Sequence, residues 1–322
     1  MARSRWLGTV SDMKILAVDL GGTHATCALI EEKRILESET VSLPESASLA
    51  DALKVIAPPL SRMHSQGKAD AIGFGFCGLV DSRHTRIAST NGKYIDAVSL
   101  DLSEWARTSF NLPLRLENDA RLALLGECYC GAAQGETDVV MFTLGTGIGG
   151  VAMIDGQLLR GKHEQAGVLG GHAPVTLTGR RCTCGGIGCA ESEASGWALP
   201  LVAKSWLGFS ASSLASRKID FENLFSCASA GDAVAGELVK HCLQVWGAAA
   251  VSAIHAFDPE LLVYGGGVMR SADAILPFLQ EYVASNAWTP WGTVRVRAAQ
   301  LGNEAALLGV VPLFATEAPL VR

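Results

Sequence analysis

Residues 138–159 read DVVMFTLGTGIGGVAMIDGQLL. Two apolar runs flank a glycine-rich turn, the pattern of a buried strand, a tight turn and a second strand. Residues 14–31, KILAVDLGGTHATCALIE, repeat it with a Gly-Gly turn in the middle. An internal repeat fixes architecture before any single element does. Here it predicts two similar halves, and strands alternating with helices around both copies indicate an α/β fold.

In the first half, RILESETVSL (34–43) extends the meander. LADALKVIAPPLSRMH has helical periodicity, expected to break at Pro58 and Pro59. DAIGFGF (70–76) reads as a strand, LSEWARTSF as a short helix, LPLRLE (112–117) as a strand and ARLALLGECYCGAA as a helix. The second half continues with the long helical stretch DAVAGELVKHCLQVWGAAAVSAIHAF and the strand ELLVYGGGV (260–268). A helix near 273–285, the strand VRVRAA (294–299) and a last helix, EAALLGVVPLFA, complete it. The expected domains are 13–118, a smaller α/β domain, and 119–300, a larger one. Residues 301–322 are expected to pack back on the first. No Pro-, Gly- or Ser-rich linker divides the halves, so they are expected to share a cleft.

The 322 residues suit two domains better than one core. Hydrophobic residues are 49% and charged ones only 18%, which argues against disorder. A net charge of -6 without a Lys/Arg run argues against a nucleic-acid partner. No apolar run is long enough to span a bilayer, and residues 1–12 lack the apolar core of a signal peptide. They read as a loose extension ahead of Met13. A cytoplasmic protein with reduced thiols is expected.

Three glycine turns follow apolar strands: Asp19-Leu20-Gly21-Gly22-Thr23, Gly145-Thr146-Gly147 and Gly265-Gly266-Gly267. Backbone N–H groups in such turns can cradle phosphate because no Cβ blocks the approach. Any one of them could simply close a hairpin; three together make a nucleotide the better reading. Gly73-Gly75-Gly78 and Gly145-Gly147-Gly150 also match the dinucleotide fingerprint. That motif requires a helix straight afterwards, and neither LVDSRHTRI nor VAMIDGQ reads as one. Asp19 beside a phosphate cradle would repel its ligand unless Mg²⁺, directly or through water, came between; capping a turn is its plainer role. Thr23 and Thr146 add hydroxyl donors. A second cluster stands apart: Cys182, Cys184 and Cys189 fall within eight positions, with His172 upstream and Glu191 two residues after the last.

Taken together, DLGGT (19–23), LENDA (116–120), FTLGTGIGG (142–150), GGH (170–172), CTCGGIGCAE (182–191) and DPELLVYGGGV (258–268) resemble the ROK family of repressors and sugar kinases. The motifs stand in the family's order across nearly the whole chain from residue 14. The resemblance implies an actin-like ATPase fold and ATP-dependent phosphorylation of a hexose, as in glucokinases. It implies Asp119 as catalytic base and Asn118 as a sugar contact, although Asn-Asp before a helix also reads as a plain N-cap. It assigns Zn²⁺ to His172, Cys182, Cys184 and Cys189, and further sugar contacts to His172, Glu191, Gly78 and Thr90. One imidazole and three thiolates form a closed shell, the chemistry of a structural zinc. A homodimer is implied by the family alone.

In one place the chain departs from the family. The usual A-G-E-x-G-H pattern, whose Glu binds sugar, is Ala166-Gly167-Val168-Leu169-Gly170-Gly171-His172 here. It is one residue longer, and neither Val168 nor Leu169 can accept a hydroxyl. Glu164, just upstream, is a candidate substitute. A repressor would need a DNA-binding domain ahead of the first strand, where only about a dozen residues stand. A sugar kinase is therefore expected, with a non-catalytic sugar sensor as the alternative and the sugar itself left open.

Overall fold

The computed structural model describes residues 13–44, 48–90 and 92–315. The extension at 1–12, and the chain beyond 315, lie outside these residues.

Strands β1 (Lys14–Leu20), β2 (His24–Glu31) and β3 (Arg34–Ser42) form an antiparallel meander. Strand β4 (Ala71–Phe76) pairs parallel with β1, and β7 (Leu114–Asn118) pairs parallel with β4, giving the order β3-β2-β1-β4-β7. Between β4 and β7 lies a small hairpin, β5 (Leu79–Asp81) and β6 (Arg86–Ser89). The second sheet repeats this topology. Strands β8 (Val139–Leu144), β9 (Ile148–Ile154) and β10 (Gln157–Leu158) are antiparallel. Strands β11 (Leu261–Gly265) and β12 (Arg295–Ala298) then add in parallel, for the order β10-β9-β8-β11-β12. The faint sequence repeat thus corresponds to two sheets of one topology. The apolar runs behave as central strands should: every residue of β4 is buried, and Ile15–Val18 of β1 are fully so.

Helix α1 (Leu49–Gly67) runs unbroken through Pro58 and Pro59, contrary to the sequence expectation. Two backbone donors are lost there, but the stripe Leu49, Ala52, Leu53, Ile56, Pro59, Leu60 and Met63 is buried. The Ser48 side chain caps one end, accepting from the Asp51 N–H, and left-handed Lys68 closes the other. Burial of that face outweighs the proline penalty. The helices α2 (Leu102–Phe110) and α3 (Asp119–Cys130) complete the first layer. The second sheet is accompanied by α4 (Ala190–Ala194), α5 (Leu199–Lys204), α6 (Phe221–Ser229), α7 (Ala233–Phe257) and α8 (Ala272–Asn286). Trp246 of α7 is buried there, and Phe142 stacks on Tyr264 at 5.6 Å.

The expected last helix is cut short. Only α9 (Ala305–Leu308) is α-helical, and a 3-10 turn follows at Val311–Phe314. Gly309 lies so close to α3 that a Cβ there would come within 1.8 Å of the Leu122 carbonyl oxygen. Gly309 at the end of α9 and Pro312 just beyond it stop the helix there.

The chain forms two compact units. Of the described residues, one takes those up to Gly135, Arg160–Gln165 and those from Leu301; the other takes Glu136–Leu159 and Ala166–Gln300. The sequence reading placed the boundary after residue 118. Helix α3 instead stays with the first unit, where it packs on α9, β7 and β4.

Candidate active site

In the first unit the functional residues gather where parallel strands end. The register puts Asp19, Gly75 and Glu117 at one level of β1, β4 and β7, and Leu20, Phe76 and Asn118 at the next. Asp119 is the first residue of α3, immediately beyond β7. Carboxyl ends of parallel strands are where open α/β sheets bind ligands, because the chain leaves the sheet there and exposes backbone.

Asn118 is the N-cap of α3: its Oδ1 accepts from the Arg121 N–H at 3.1 Å. Its Nδ2 donates to the Gly78 carbonyl at 3.0 Å and to Asp119 Oδ1 at 2.9 Å. The plain cap reading therefore holds for this residue, and the same side chain also binds Asp119. Asp119 Oδ1 also accepts from the Ala120 N–H at 2.8 Å. Burial nevertheless raises the Asp119 carboxyl to about 6, against the opposing pull of those donors. Asp19 is likewise raised to about 6, by burial first and then by the negative charge of Asp119. Two carboxylates that resist ionising are a natural place for a hard divalent cation, whose charge would repay both.

The turn Gly21–Thr23 is held by residues that the sequence reading missed. The Tyr94 hydroxyl donates to the Gly21 carbonyl at 2.8 Å, and Lys93 Nζ donates to the carbonyls of Gly22 and Pro44. A Cβ added at Gly22 would meet nothing within 4 Å, so that turn is open to a ligand. Gly78 and Thr90 flank the Leu79↔Ser89 pair at one end of the β5–β6 hairpin. A Cβ at Gly78 would strike the Ser89 carbonyl at 2.6 Å, which explains the glycine.

Glu164 is engaged by arginines. Its carboxylate is held by Arg121 at 3.3 Å and Arg160 at 3.4 Å, in a buried cluster with Glu117. The candidate substitute for the missing Glu is thus already engaged, and Leu169 stands 44% exposed.

In the second unit, Gly145–Gly147 joins β8 to β9 and Gly265–Gly267 leaves β11, with Thr143 and Gly265 level in the sheet. Gly266 has φ +90, and a Cβ there would lie 2.3 Å from the Leu144 carbonyl oxygen; only glycine fits. Neither dinucleotide-like motif is followed by a helix, since β5 follows Gly78 and β9 continues past Gly150. Glu191, in α4, has two partners. One oxygen accepts from the Ile148 N–H at 3.0 Å and the other from Trp197 Nε1 at 3.2 Å. Glu191 therefore ties the cysteine loop to the glycine turn of β8–β9. A sequence alone gives no sign of that link.

The loop itself brings His172, Cys182, Cys184 and Cys189 together, with all four donor atoms within 4.8 Å of one another. Cys182 Sγ lies 3.4 Å from His172 Nδ1, and Cys184 Sγ lies 3.6 Å from Cys189 Sγ. A tetrahedral zinc holds neighbouring N and S donors about 3.5–3.8 Å apart, given bonds of about 2.0 and 2.3 Å. The spacing and the soft donor set both fit. None of the nine cysteines is joined in a disulfide. Backbone bonds Cys182 N–H to Gly186 O (2.8 Å) and Gly188 N–H to Arg180 O (2.9 Å) fold the loop around the cluster.

Twin sheets of one topology, each opening on a strand–glycine turn–strand unit, define the actin-like ATPase fold and its phosphotransferases. The chain belongs to the ROK family, whose model matches residues 15–317. It is 30% identical to the glucokinase of Thermotoga maritima, over 94% of this chain and 97% of that protein. It is also 30% identical to the N-acetylmannosamine kinase of Citrobacter koseri, over 94% of this chain and 98% of that protein. The ROK glucokinase of Streptomyces griseus, solved in complex with glucose and AMPPNP, superposes with a TM-score of 0.76 at 30% identity. That match covers 93% of this chain and 98% of the other. This chain is an enzyme, a sugar kinase. No helix among the described residues is long and apolar enough to cross a membrane.

Proposed function

We propose that this enzyme transfers the γ-phosphoryl group of MgATP to the primary hydroxyl of a hexose, in the manner of a glucokinase. The observation that carries the proposal is Asp119: a half-buried carboxyl at the end of β7, fixed by Asn118 and Ala120, and raised to about 6. A group that titrates there is ionised at neutral pH and still basic enough to take the hydroxyl proton as the oxygen attacks. Phosphoryl transfer asks little more of the protein than positioning and charge neutralisation.

Asp19 would hold Mg²⁺, directly or through water, and the ion would supply the positive charge that phosphate oxygens need there. Gly21, Gly22 and Thr23 in the first unit, and Gly145, Thr146, Gly147 and Gly265–Gly267 in the second, are the nucleotide-contacting turns in this reading. Asn118, Gly78, Thr90, His172 and Glu191 are the sugar contacts. The remaining Asn118 capacity is the second lone pair of Oδ1, since both Nδ2 hydrogens are used. Zn²⁺ on His172, Cys182, Cys184 and Cys189 would staple the loop that presents His172 and Glu191. A cytoplasmic homodimer that binds no nucleic acid completes the reading.

A second substrate reading has a specific basis. Val168 and Leu169 stand where the family's sugar-binding Glu is usual, and the site lacks that acceptor. An N-acetylhexosamine, which replaces a hydroxyl by an acetamido group with an apolar methyl, suits such a wall. The test is ADP release with MgATP and a panel of hexoses, hexosamines and their N-acetyl forms. Sugar-dependent release that vanishes in Asp119→Ala supports the kinase and names its substrate. Near-normal release by Asp119→Ala removes Asp119 as the base.

A further inference from the structure

The Asn118–Asp119 peptide is bracketed by two buried charges. Glu117 precedes it and Arg121 follows it, and both are fully buried. Glu117 Oε1 accepts from the Asn118 N–H at 2.9 Å and lies 3.5 Å from Arg121 Nη1, so an ion pair spans the bend between β7 and α3. Residues 160–165 close on this bend from outside. Arg160 Nη1 lies 2.6 Å from Glu117 Oε2, and Glu164 Oε2 lies 3.3 Å from Arg121 Nη1. Glu164 also offers its backbone carbonyl to Arg121 Nη2 at 3.0 Å. The exposed Arg83, from the turn of the β5–β6 hairpin, stands 3.8 Å from Glu164 Oε1.

Glu164 adopts the left-handed φ of +58, which a side chain seldom occupies. That conformation turns both its carboxylate and its carbonyl toward one guanidinium. Strain of this kind persists only where surrounding contacts over-determine it. Burying one arginine and two glutamates beside a half-buried second arginine is also a poor way to gain stability, since well-packed apolar side chains do as well. The arrangement gives geometry instead. A planar guanidinium held at both nitrogens fixes the direction in which α3 leaves the sheet.

We propose that Glu164 and Arg121 are positioning residues for the catalytic carboxylate: together with Glu117 and Arg160 they aim Asp119 by locking the first turn of α3. This rests on the reading of Asp119 as the base. Glu164 thereby has a task in the reaction without touching the sugar. Without its charge, the Arg121 and Arg160 guanidiniums share a single carboxylate and repel one another, and the turn loosens.

Three purified variants test this against the native chain, each by kcat, KM for sugar and ATP, and melting temperature. They are Glu164→Gln, Arg121→Met, and the apolar double variant Arg121→Met/Glu164→Met. Glu164→Gln is expected to lose roughly ten- to a hundredfold in kcat, the cost of a small misplacement, with KM for sugar little changed. The double variant is expected to melt near the native temperature yet keep the kcat defect. A purely structural cluster would instead recover kcat along with the melting point, and that result overturns the inference. Native kcat in Glu164→Gln overturns it as well while leaving the kinase reading intact. A native chain that phosphorylates no sugar overturns both.

Discussion

Replacing Asp119 by Asn is expected to give a protein that melts above the native chain at pH 8 and has no turnover. Burial lifts this carboxyl from 3.8 to about 6, so the folded chain holds the proton more tightly than the unfolded one. The sign follows from linkage. The group's contribution to stability is present below the unfolded value, declines as pH rises between 3.8 and 6, and is a full cost above 6. The difference of about 2.2 units corresponds to about 3 kcal/mol at 1.36 kcal/mol per unit. Water reaching a half-buried carboxylate screens this to about 1–2 kcal/mol. Asparagine removes the charge but keeps an oxygen for the Ala120 N–H. Melting curves for both proteins, measured from pH 8 down to pH 4, should show an advantage for Asp119→Asn that narrows as pH falls. In the same buffers, kcat/KM of the native enzyme should lose its plateau with a midpoint near pH 6, leaving about a tenth of the activity at pH 5. Two results would refute the reasoning: an Asn variant that melts below the native chain at pH 8, or activity that stays level down to pH 5.

Cys184→Ser should reduce zinc from about one ion per chain to none by metal analysis, and weaken sugar binding in calorimetry at the same time. Gly266→Ala, with φ +90 and a Cβ only 2.3 Å from the Leu144 carbonyl, should cost about 2–3 kcal/mol in denaturant unfolding. Gly22→Ala meets nothing within 4 Å and should melt with the native protein while raising KM for ATP, which separates a ligand role from a packing role. Glu191→Gln turns one acceptor into a donor facing Ile148 N–H or Trp197 Nε1, and should raise KM for ATP and sugar together in steady-state kinetics.

What could be read from the chain and what could not divide along physical lines. Residues 14–31 and 138–159 announced their strand–turn–strand units because burial on both faces of a central strand leaves a continuous apolar run. The Cys/His cluster was legible because soft donors at close spacing have few other uses in a reduced protein, and the fold brings those four side chains together. Errors came where long-range packing overrode local preference. Pro58 and Pro59 argue locally for a break, but the buried stripe from Leu49 to Met63 holds α1 together. Gly309, by contrast, caps α9 with Pro312 just beyond, a local stop signal the sequence reading passed over, and the Leu122 carbonyl leaves no room for a Cβ there. The same limit applies to the site. A carboxylate's type is visible in a sequence, but its partners are not. Glu164 was a candidate for the missing sugar ligand and is held by two arginines, while Glu191, expected as a sugar contact, anchors a glycine turn. Asn118 was weighed as either cap or contact, and its three polar bonds cap α3 and orient Asp119 at once. A residue that closes a helix and also binds the neighbouring carboxylate cannot be assigned to one role by spacing. The cap and the bond to Asp119 coexist because an amide carries a donor end and an acceptor end, and the fold uses both.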